Sequence, residues 1–183
     1  MGSLIDIRTG IQRAKAELLS ALSAEGLRAG ADTAALVENR IVTTGQTAEG
    51  GRLSPYSTKG VGAWRYLGRS RNAAGETAIR RRAKARQEVS YKEFRQLNGL
   101  NTDHKNLQFT GEMWQGFGVT AVRVVSTGIV EVTLGGKNTR TARLLGYHSE
   151  RENTEISAPS RQESAAVAAG IVERLTKIIQ RNV

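Results

Sequence analysis

The sequence predicts an α+β protein: amphipathic helices at the two ends of the chain accompany a small antiparallel sheet with a β-hairpin, and a long basic arm is inserted between them. Three observations support this prediction. Apolar residues recur every three or four positions near both ends of the 183-residue chain, over residues 4–25 and 161–181. Two runs rich in β-branched residues occupy 119–126 and 129–134. Residues 52–89 carry much positive charge and little apolar pattern, so we predict a single domain in which this segment is an extended arm.

The first predicted helix begins at a capping-box pattern formed by Ser3 and Asp6. The glycine-containing stretch 26–30 predicts a break in this helix. Asp32 then caps a second helix that runs to Val42. The apolar face of the first helix consists of Leu4, Ile7, Ile11, Ala14, Leu18 and Leu22.

Residues 51–75 have neither helical nor strand periodicity, which predicts an extended loop or arm. The stretch nevertheless contains three aromatic residues and five Lys or Arg residues. Tyr, Trp and Arg are enriched among the residues that dominate interface energies. We therefore predict an assembly interface on this arm, formed by Arg52, Tyr56, Trp64, Arg65 and Tyr66.

Nearly all the excess charge of the protein lies in one segment. Residues 52–105 contain thirteen Lys or Arg and four acidic residues, whereas the rest of the chain contains fourteen and thirteen. Within that segment, residues 76–88 are helix formers and predict a short basic helix. Concentrated positive charge attracts phosphate backbones or an acidic protein surface. The residues expected to make such contacts are Arg80, Arg81, Arg82, Lys84 and Arg86.

Two local patterns return the chain from the basic segment to the core. Ser90 and Glu93 form a second capping-box pattern, which predicts a short helix ending at Gly99. Residues 107–117 are the densest cluster of large apolar residues, and they predict a buried turn leading into a short helix. The cluster consists of Leu107, Phe109, Met113, Trp114 and Phe117.

The predicted hairpin turns at Thr127 and Gly128, which lie between the two β-branched runs. In the second run Val130, Val132 and Leu134 alternate with polar residues. This alternation predicts one buried and one solvent-facing side.

The C-terminal region is predicted to be mostly helical. A helical turn or two is expected at 139–145, ending at Gly146, and a polar loop is expected at 148–156. Ser160 and Glu163 form a third capping-box pattern, from which the last helix runs to about Arg181.

No pattern in the sequence indicates catalysis. The chain has no cysteine, which excludes a zinc finger, and His104 and His148 lack metal-ligand spacing. The three glutamates within 150–155 stand among polar residues, as in a solvated loop. Tyr91 beside the arginines suggests a strand-transfer nucleophile, but it is better explained as the apolar neighbour of Phe94. We predict a protein that is not an enzyme, with no catalytic residues, no metal and no cofactor.

The chain shows no apolar run of transmembrane length and no signal-peptide pattern at its start. We therefore expect a soluble protein with no membrane partner. The basic segment leaves open a second class of function, a nucleic-acid-binding accessory protein that contacts phosphates without reading sequence. The sequence contains no helix-turn-helix pairing and no aromatic RNA-binding strand, so a dedicated sequence reader is not expected.

Several short motifs occur in an order that resembles a family of tailed-bacteriophage proteins. They are Ser54-Pro-Tyr-Ser57, Leu107-Gln-Phe-Thr-Gly-Glu-Met113, Ala142 with Gly146, and Pro159-Ser-Arg161. This order is similar to that of the virion-morphogenesis or tail-completion proteins, which include tail-terminator-like minor tail and neck components. The resemblance covers most of the chain from about residue 52 onward.

The resemblance implies helices packed on a small antiparallel sheet and a structural role at the head-tail junction. It implies a homo-oligomeric ring, six-fold in this family, that completes or joins the tail and lets DNA pass. The neighbours would be tail-tube and connector or neck proteins, with non-specific DNA contact in the lumen as a further role for the basic residues at 80–86. The protein would be made in the host cytoplasm and reside in the virion, in its tail or neck.

Overall fold

The computed structural model describes residues 4–108, 111–126 and 129–181, and the side chains within these ranges from residue 20 to residue 177. The fold is α+β, with helices at both ends of the chain and two small antiparallel sheets of two strands each among the described residues. The elements are α1 (Leu4–Thr44), β1 (Gly60–Gly62), a 3-10 turn (Ala63–Tyr66), α2 (Ala73–Lys84), β2 (Glu88–Ser90), α3 (Tyr91–Leu97), α4 (Glu112–Gln115), β3 (Phe117–Ser126), β4 (Ile129–Gly136), α5 (Thr139–Glu152) and α6 (Arg161–Arg181).

A single helix, α1, replaces the two helices predicted at the N-terminus. It spans 41 residues without interruption, so the predicted break at 26–30 and the cap at Asp32 are wrong. A Cβ atom on Gly30 would lie 2.5 Å from Val119 Cγ2 and 2.6 Å from Val132 Cγ1. A Cβ on Gly26 would similarly meet Val130 Cγ1 at 2.6 Å. These glycines therefore let the hairpin approach the helix backbone, and tertiary packing overrides their low helix propensity.

The same face of α1 carries the main core. Moving toward its C-terminal end, the buried positions change from Gly26 and Gly30 to Ala34, and then to Val37 and Ile41. The main core cluster is formed by Ala34, Val37, Ile41, Leu53, Met113, Trp114, Phe117, Leu145 and Ile156. Side-chain size thus increases along one helical face, from the contact with the hairpin to the contact with α4 and α5.

The predicted hairpin is confirmed. Strands β3 and β4 pair antiparallel from Phe117 opposite Gly136 to Ser126 opposite Ile129. Along β4, Val130, Val132 and Leu134 are half-buried while the residues between them are exposed, as the alternation predicts. The turn residues Thr127 and Gly128 lie outside the described residues, as do Ser3, Phe109 and Thr110.

Helix α6 begins and ends where the sequence predicts, and it runs antiparallel to α1. Its N-terminal capping box is present: Glu163 N donates to Ser160 Oγ at 3.2 Å, and Ser160 N donates to Glu163 Oε2 at 2.6 Å. The other carboxylate oxygen of Glu163 accepts from Arg40 Nε on α1 at 2.9 Å. Further along, Arg174 pairs with the buried Glu25. Arg174 also pairs with Asp32 at 3.7 Å, so three ion pairs among the described residues fasten α6 to α1.

The basic segment is folded to a greater extent than the sequence predicts. The expectation of an extended loop over 51–75 fails from Gly60 onward, because β1 pairs with β2 and the 3-10 turn follows it. A second apolar cluster forms there from Ala63, Ile79, Val89 and Phe94, with Tyr66, Ala83, Tyr91 and Leu97 packed against it. The predicted basic helix exists but runs from Ala73 to Lys84, so its predicted end at Glu88 is wrong, because Glu88 lies in β2. Asn72 caps the helix by accepting from Gly75 N at 2.7 Å. The predicted cap of α3 is confirmed, since Ser90 Oγ accepts from Glu93 N at 3.1 Å.

Helix α5 is twice as long as predicted. It does not end at Gly146 but continues to Glu152, so the loop predicted at 148–156 is wrong over most of its length. No heavy atom would lie within 4 Å of a Cβ atom on Gly146, which indicates an exposed helix position where glycine makes no tertiary contact. Glycine is common just after the end of a helix, and for that reason Gly146 resembled a helix end in the sequence.

We expect the substitution Gly→Ala to have opposite effects at two helical positions. Gly30→Ala should lower the free energy of unfolding by about 1–2 kcal/mol, because its Cβ overlaps two rigid valine methyl groups. Gly146→Ala should raise it by about 0.5–1 kcal/mol, because the new methyl group meets nothing and the helix propensity improves. Urea denaturation of both variants measures this, and equal stabilisation by both would contradict the close packing of α1 on the hairpin.

Candidate functional site

Two of the five residues predicted to form an assembly interface are used inside the protomer. Tyr56 is 6% exposed, and its hydroxyl donates to Asn106 Oδ1 at 2.9 Å and accepts from Asn106 N at 3.1 Å. Tyr66 stacks on Phe94 with ring centroids 4.4 Å apart. Both rings find apolar partners that are distant in sequence. Tyr56 is thereby buried within the protomer, whereas Tyr66 is half-buried.

The other predicted interface residues, Arg52, Trp64 and Arg65, are exposed. The side chain of Trp64 is 64% exposed, and a Cβ atom on Gly62 would lie 2.5 Å from its Nε1, so the indole lies across Gly62. The Arg65 guanidinium sits 5.3 Å from the centroid of the Trp64 ring. The structure therefore presents an exposed aromatic residue on a folded support, with cationic neighbours.

The predicted basic contact residues lie on and just after α2, and they differ in whether their charge is already paired within the protein. Arg80 donates to Glu76 at 2.9 Å, and Arg82 is paired with Glu93. Arg81, Lys84 and Arg86 are exposed and have no ion pair with a described residue. Neutralising these three would test charge without breaking the internal pairs.

A cleft of about 310 Å³, which was not predicted from the sequence, lies between α5 and the segment around Tyr56. One wall is a stripe of α5 with a spacing of four, four and three residues: Arg140, Leu144, His148 and Arg151. The remaining lining residues are Pro55, Tyr56, Ser57, Tyr91, Arg95, Lys105, Leu107, Gly111, Glu112 and Met113. The spacing is a helical signal, but it was hidden by the prediction that α5 ends at Gly146.

Arg95 forms the inner end of this cleft and is 1% exposed. Its guanidinium donates to the carbonyl oxygens of Asn101 and Gln108, at 3.1 and 2.9 Å, and to Asn106 Oδ1 at 3.0 Å. It also lies 4.2 Å from the centroid of the Tyr56 ring. Among the described residues no carboxylate pairs with it. The charge of Arg95 is therefore held by neutral oxygens and an aromatic face.

A buried ion pair lies beside Arg95. Lys105 pairs with Glu152, and both side chains are about 5% exposed or less. Ser54 also donates to Glu152, from its N at 2.7 Å and from its Oγ. Burial alone would raise the pKa of Glu152, but the hydrogen bonds from Lys105 and Ser54 outweigh it and lower the pKa. The carboxylate is thus ionised at neutral pH and balances Lys105.

His148 is the one histidine that faces the cleft. Its Nδ1 is buried and has no hydrogen-bond partner in the described structure. Burial lowers the pKa of its ring, and the neighbouring Lys105 lowers it further. The ring is therefore neutral at pH 7. The other histidine, His104, uses its Nε2 in a 2.9 Å hydrogen bond with the carbonyl of Val42.

Within the described ranges, no three His, Asp or Glu side chains come together in a way that could hold a metal ion. No helix of the described chain is long and apolar enough to cross a membrane. Comparison with known proteins finds no matching family model, no matching curated protein and no matching solved structure. Any functional conclusion therefore depends on the surfaces and the cleft described above.

His148 should make the stability of the protein depend on pH. Its pKa in the folded protein lies below the ordinary value of 6.5, so as the pH falls the unfolded chain takes up the proton first. The contribution of the neutral ring to stability is complete above pH 6.5 and is lost as the pH falls through the folded-state pKa. His148→Gln should flatten this part of the curve of unfolding free energy against pH, as measured by urea denaturation. Curves that run parallel for the two proteins would contradict this assignment.

Proposed function

We propose that the protein is a structural subunit of a bacteriophage neck or tail terminus, which acts by assembling with copies of itself and with neighbouring virion proteins and not by catalysis. The observation that carries this proposal is Trp64, an aromatic side chain that is 64% exposed on a folded support, with the Arg65 guanidinium 5.3 Å from its ring centroid. Exposed tryptophan and arginine side chains are enriched among the residues that dominate interface energies.

Exposed apolar side chains on several separate elements also support assembly. Trp64 and Leu67 are 64% and 43% exposed near the 3-10 turn, and Ile129 is 57% exposed at the start of β4. On α6, whose apolar stripe is long, Val172 is 64% exposed. A ring subunit contacts its two neighbours through two different surfaces. Exposed apolar side chains on separate elements of one chain are compatible with that requirement.

The order of the sequence motifs adds independent support, because their residues occupy defined structural positions. Ser54 of the first motif donates to Glu152 at the end of α5. Gly111 of the second motif has φ of 83° and precedes α4, a conformation that favours glycine. Arg161 of the last motif begins α6. The resemblance to tail-completion proteins is part of this proposal, and in this chain its motif residues form contacts and helix ends.

Under this proposal the protein is a homo-oligomer, and Trp64 is an anchor of its interface. Trp64→Ala should weaken the association of subunits about ten-fold or more, because an exposed tryptophan on a rigid support is typical of interface hot spots. Lys59→Ala, a change to an exposed residue five positions earlier in the chain, should have little effect. Native mass spectrometry and light scattering measure the distribution of species. A chain that stays monomeric up to about 100 μM would contradict self-assembly.

A second candidate function is nucleic-acid binding without sequence preference. It is favoured by Arg81, Lys84 and Arg86, which are exposed at and just after the end of α2. In that case duplex DNA should bind with an affinity that falls steeply with salt. Replacing Arg81, Lys84 and Arg86 by glutamine should reduce the slope of log affinity against log salt by about two to three. A matched control replaces Arg123, Arg143 and Arg161, which are exposed elsewhere. Absence of salt-dependent binding, together with a discrete oligomer, would leave the assembly role alone.

A further inference from the structure

The cleft between α5 and Tyr56 has the features of a binding site for an amphipathic anion. Its mouth is flanked by two exposed arginines, Arg140 and Arg151. Two buried cations, Arg95 and Lys105, lie deeper. The rest of the lining combines apolar side chains such as Leu107, Met113 and Leu144 with the polar groups of Ser57, Glu112 and His148. A group that enters the cleft therefore meets exposed positive charge at the mouth and a largely apolar wall beyond it.

Only part of this positive charge is balanced. Glu152 balances Lys105, and Glu112 pairs with Arg140 at 2.7 Å. Arg95 has only neutral acceptors, and the guanidinium of Arg151 donates to the hydroxyl of Tyr147 at 3.3 Å. Two positive charges are thus in excess around a small cavity. Charge complementarity favours an anionic occupant.

The apolar lining restricts which anion fits. A phosphate group needs donors around most of its oxygens, whereas this cleft offers Pro55, Leu107, Met113 and Leu144 over much of its wall. A volume of about 310 Å³ is at the small end for a ligand pocket and suits one bulky side chain together with a carboxylate. The unpartnered Nδ1 of His148 adds a polar group that a neutral imidazole can use as donor or acceptor.

We propose that this cleft binds a peptide segment of a neighbouring protein in which a bulky apolar residue stands next to a carboxylate. The apolar side chain packs against Met113 and Leu144, and the carboxylate is drawn toward Arg151 and Arg140. The identity of the occupant as a neighbouring protein rests on the proposed assembly function. The chemistry of the cleft does not, because it follows from the charges and the lining alone.

The test uses the full chain and two probes that differ by one charge. N-acetyl-phenylalanine carries an aromatic side chain next to a carboxylate, and N-acetyl-phenylalaninamide is its neutral counterpart. Binding is followed by NMR titration of backbone amides, which also locates the probe. We expect the carboxylate to bind about ten-fold or more tightly than the amide and to shift residues of the cleft, because a charged hydrogen bond contributes about one order of magnitude in affinity.

The variant Arg140→Gln/Arg151→Gln should weaken binding of the carboxylate about ten-fold or more. The matched control is Arg143→Gln, because Arg143 is exposed on the same helix and does not line the cleft. It should change the affinity by less than about two-fold. Because Arg140 also pairs with Glu112, the single variant Arg151→Gln is measured as well. This single variant should show most of the loss of affinity for the carboxylate, with an unchanged unfolding midpoint.

Four results would overturn the proposal. They are no binding of the carboxylate at about 20 mM, equal binding of acid and amide, an equal loss in Arg143→Gln, and displacement of the probe by inorganic phosphate or a single-stranded oligonucleotide at lower concentration. The last result would reassign the cleft to phosphate groups. Any of them would remove the peptide site without affecting the measurement of subunit mass, so failure of the cleft proposal and failure of the assembly proposal can be told apart.

Discussion

The hydrogen bonds between Arg95, Asn106 and Tyr56 link three separate parts of the structure. Asn106 Oδ1 accepts from Tyr56, from Arg95 and from Gln108 N, and the Asn106 carbonyl accepts from the indole of Trp114 at 3.4 Å. Tyr56 precedes the second apolar cluster in the chain, and Trp114 belongs to the main core. Asn106 therefore joins Tyr56, Arg95 of α3 and Trp114 of the main core. Its burial makes each of these hydrogen bonds expensive to lose, because an unsatisfied buried group costs about 1–3 kcal/mol.

Arg95 also determines what surrounds it. A buried guanidinium without a carboxylate partner needs several well-placed oxygens, since removing an unpaired charge from water is strongly unfavourable. The backbone of residues 101–108 supplies them by folding back over α3, although this stretch has no helix or strand. The same loop is also held by Lys105, which pairs with Glu152, and by His104, which contacts the carbonyl of Val42. Several side chains therefore order a stretch that has no regular secondary structure.

The parts of the fold that were predictable from the sequence are those governed by local interactions. The side-chain cap at Ser90, the capping box at Ser160 and the alternation along β4 depend on residues within a few positions of each other, and all are present. The errors arose where distant residues decide. Gly30 does not end the helix as predicted. The hairpin, about ninety positions later in the sequence, packs where a side chain at this position would lie, and this packing outweighs the low helix propensity of glycine. Tyr56 is buried because its hydrogen-bond partner lies fifty positions away.

The candidate cleft was unpredictable for a related reason. Its α5 stripe has regular helical spacing, and it could have been recognised had Gly146 been interpreted as an exposed helix residue and not as a helix end. The counterpart residues, Arg95 and Lys105, gave no signal, because an arginine in a basic segment resembles its solvated neighbours. Only the folded arrangement distinguishes Arg95, which is 1% exposed, from Arg81, which is exposed. Charge counts along a sequence therefore overstate the charge available to a partner.

The glycines of α1 have a consequence for how the protein gains its structure. Each glycine inside a helix weakens it by about 1 kcal/mol relative to alanine, so the middle of α1 is a poor helix by itself. The docked valines of β3 and β4 fill the space that these glycines leave and thereby compensate for the weakness. The hairpin, in turn, is a two-stranded ribbon, which is at best marginally stable alone in water. Neither element is complete without the other, and this mutual dependence makes the folding of helix and hairpin a single cooperative event.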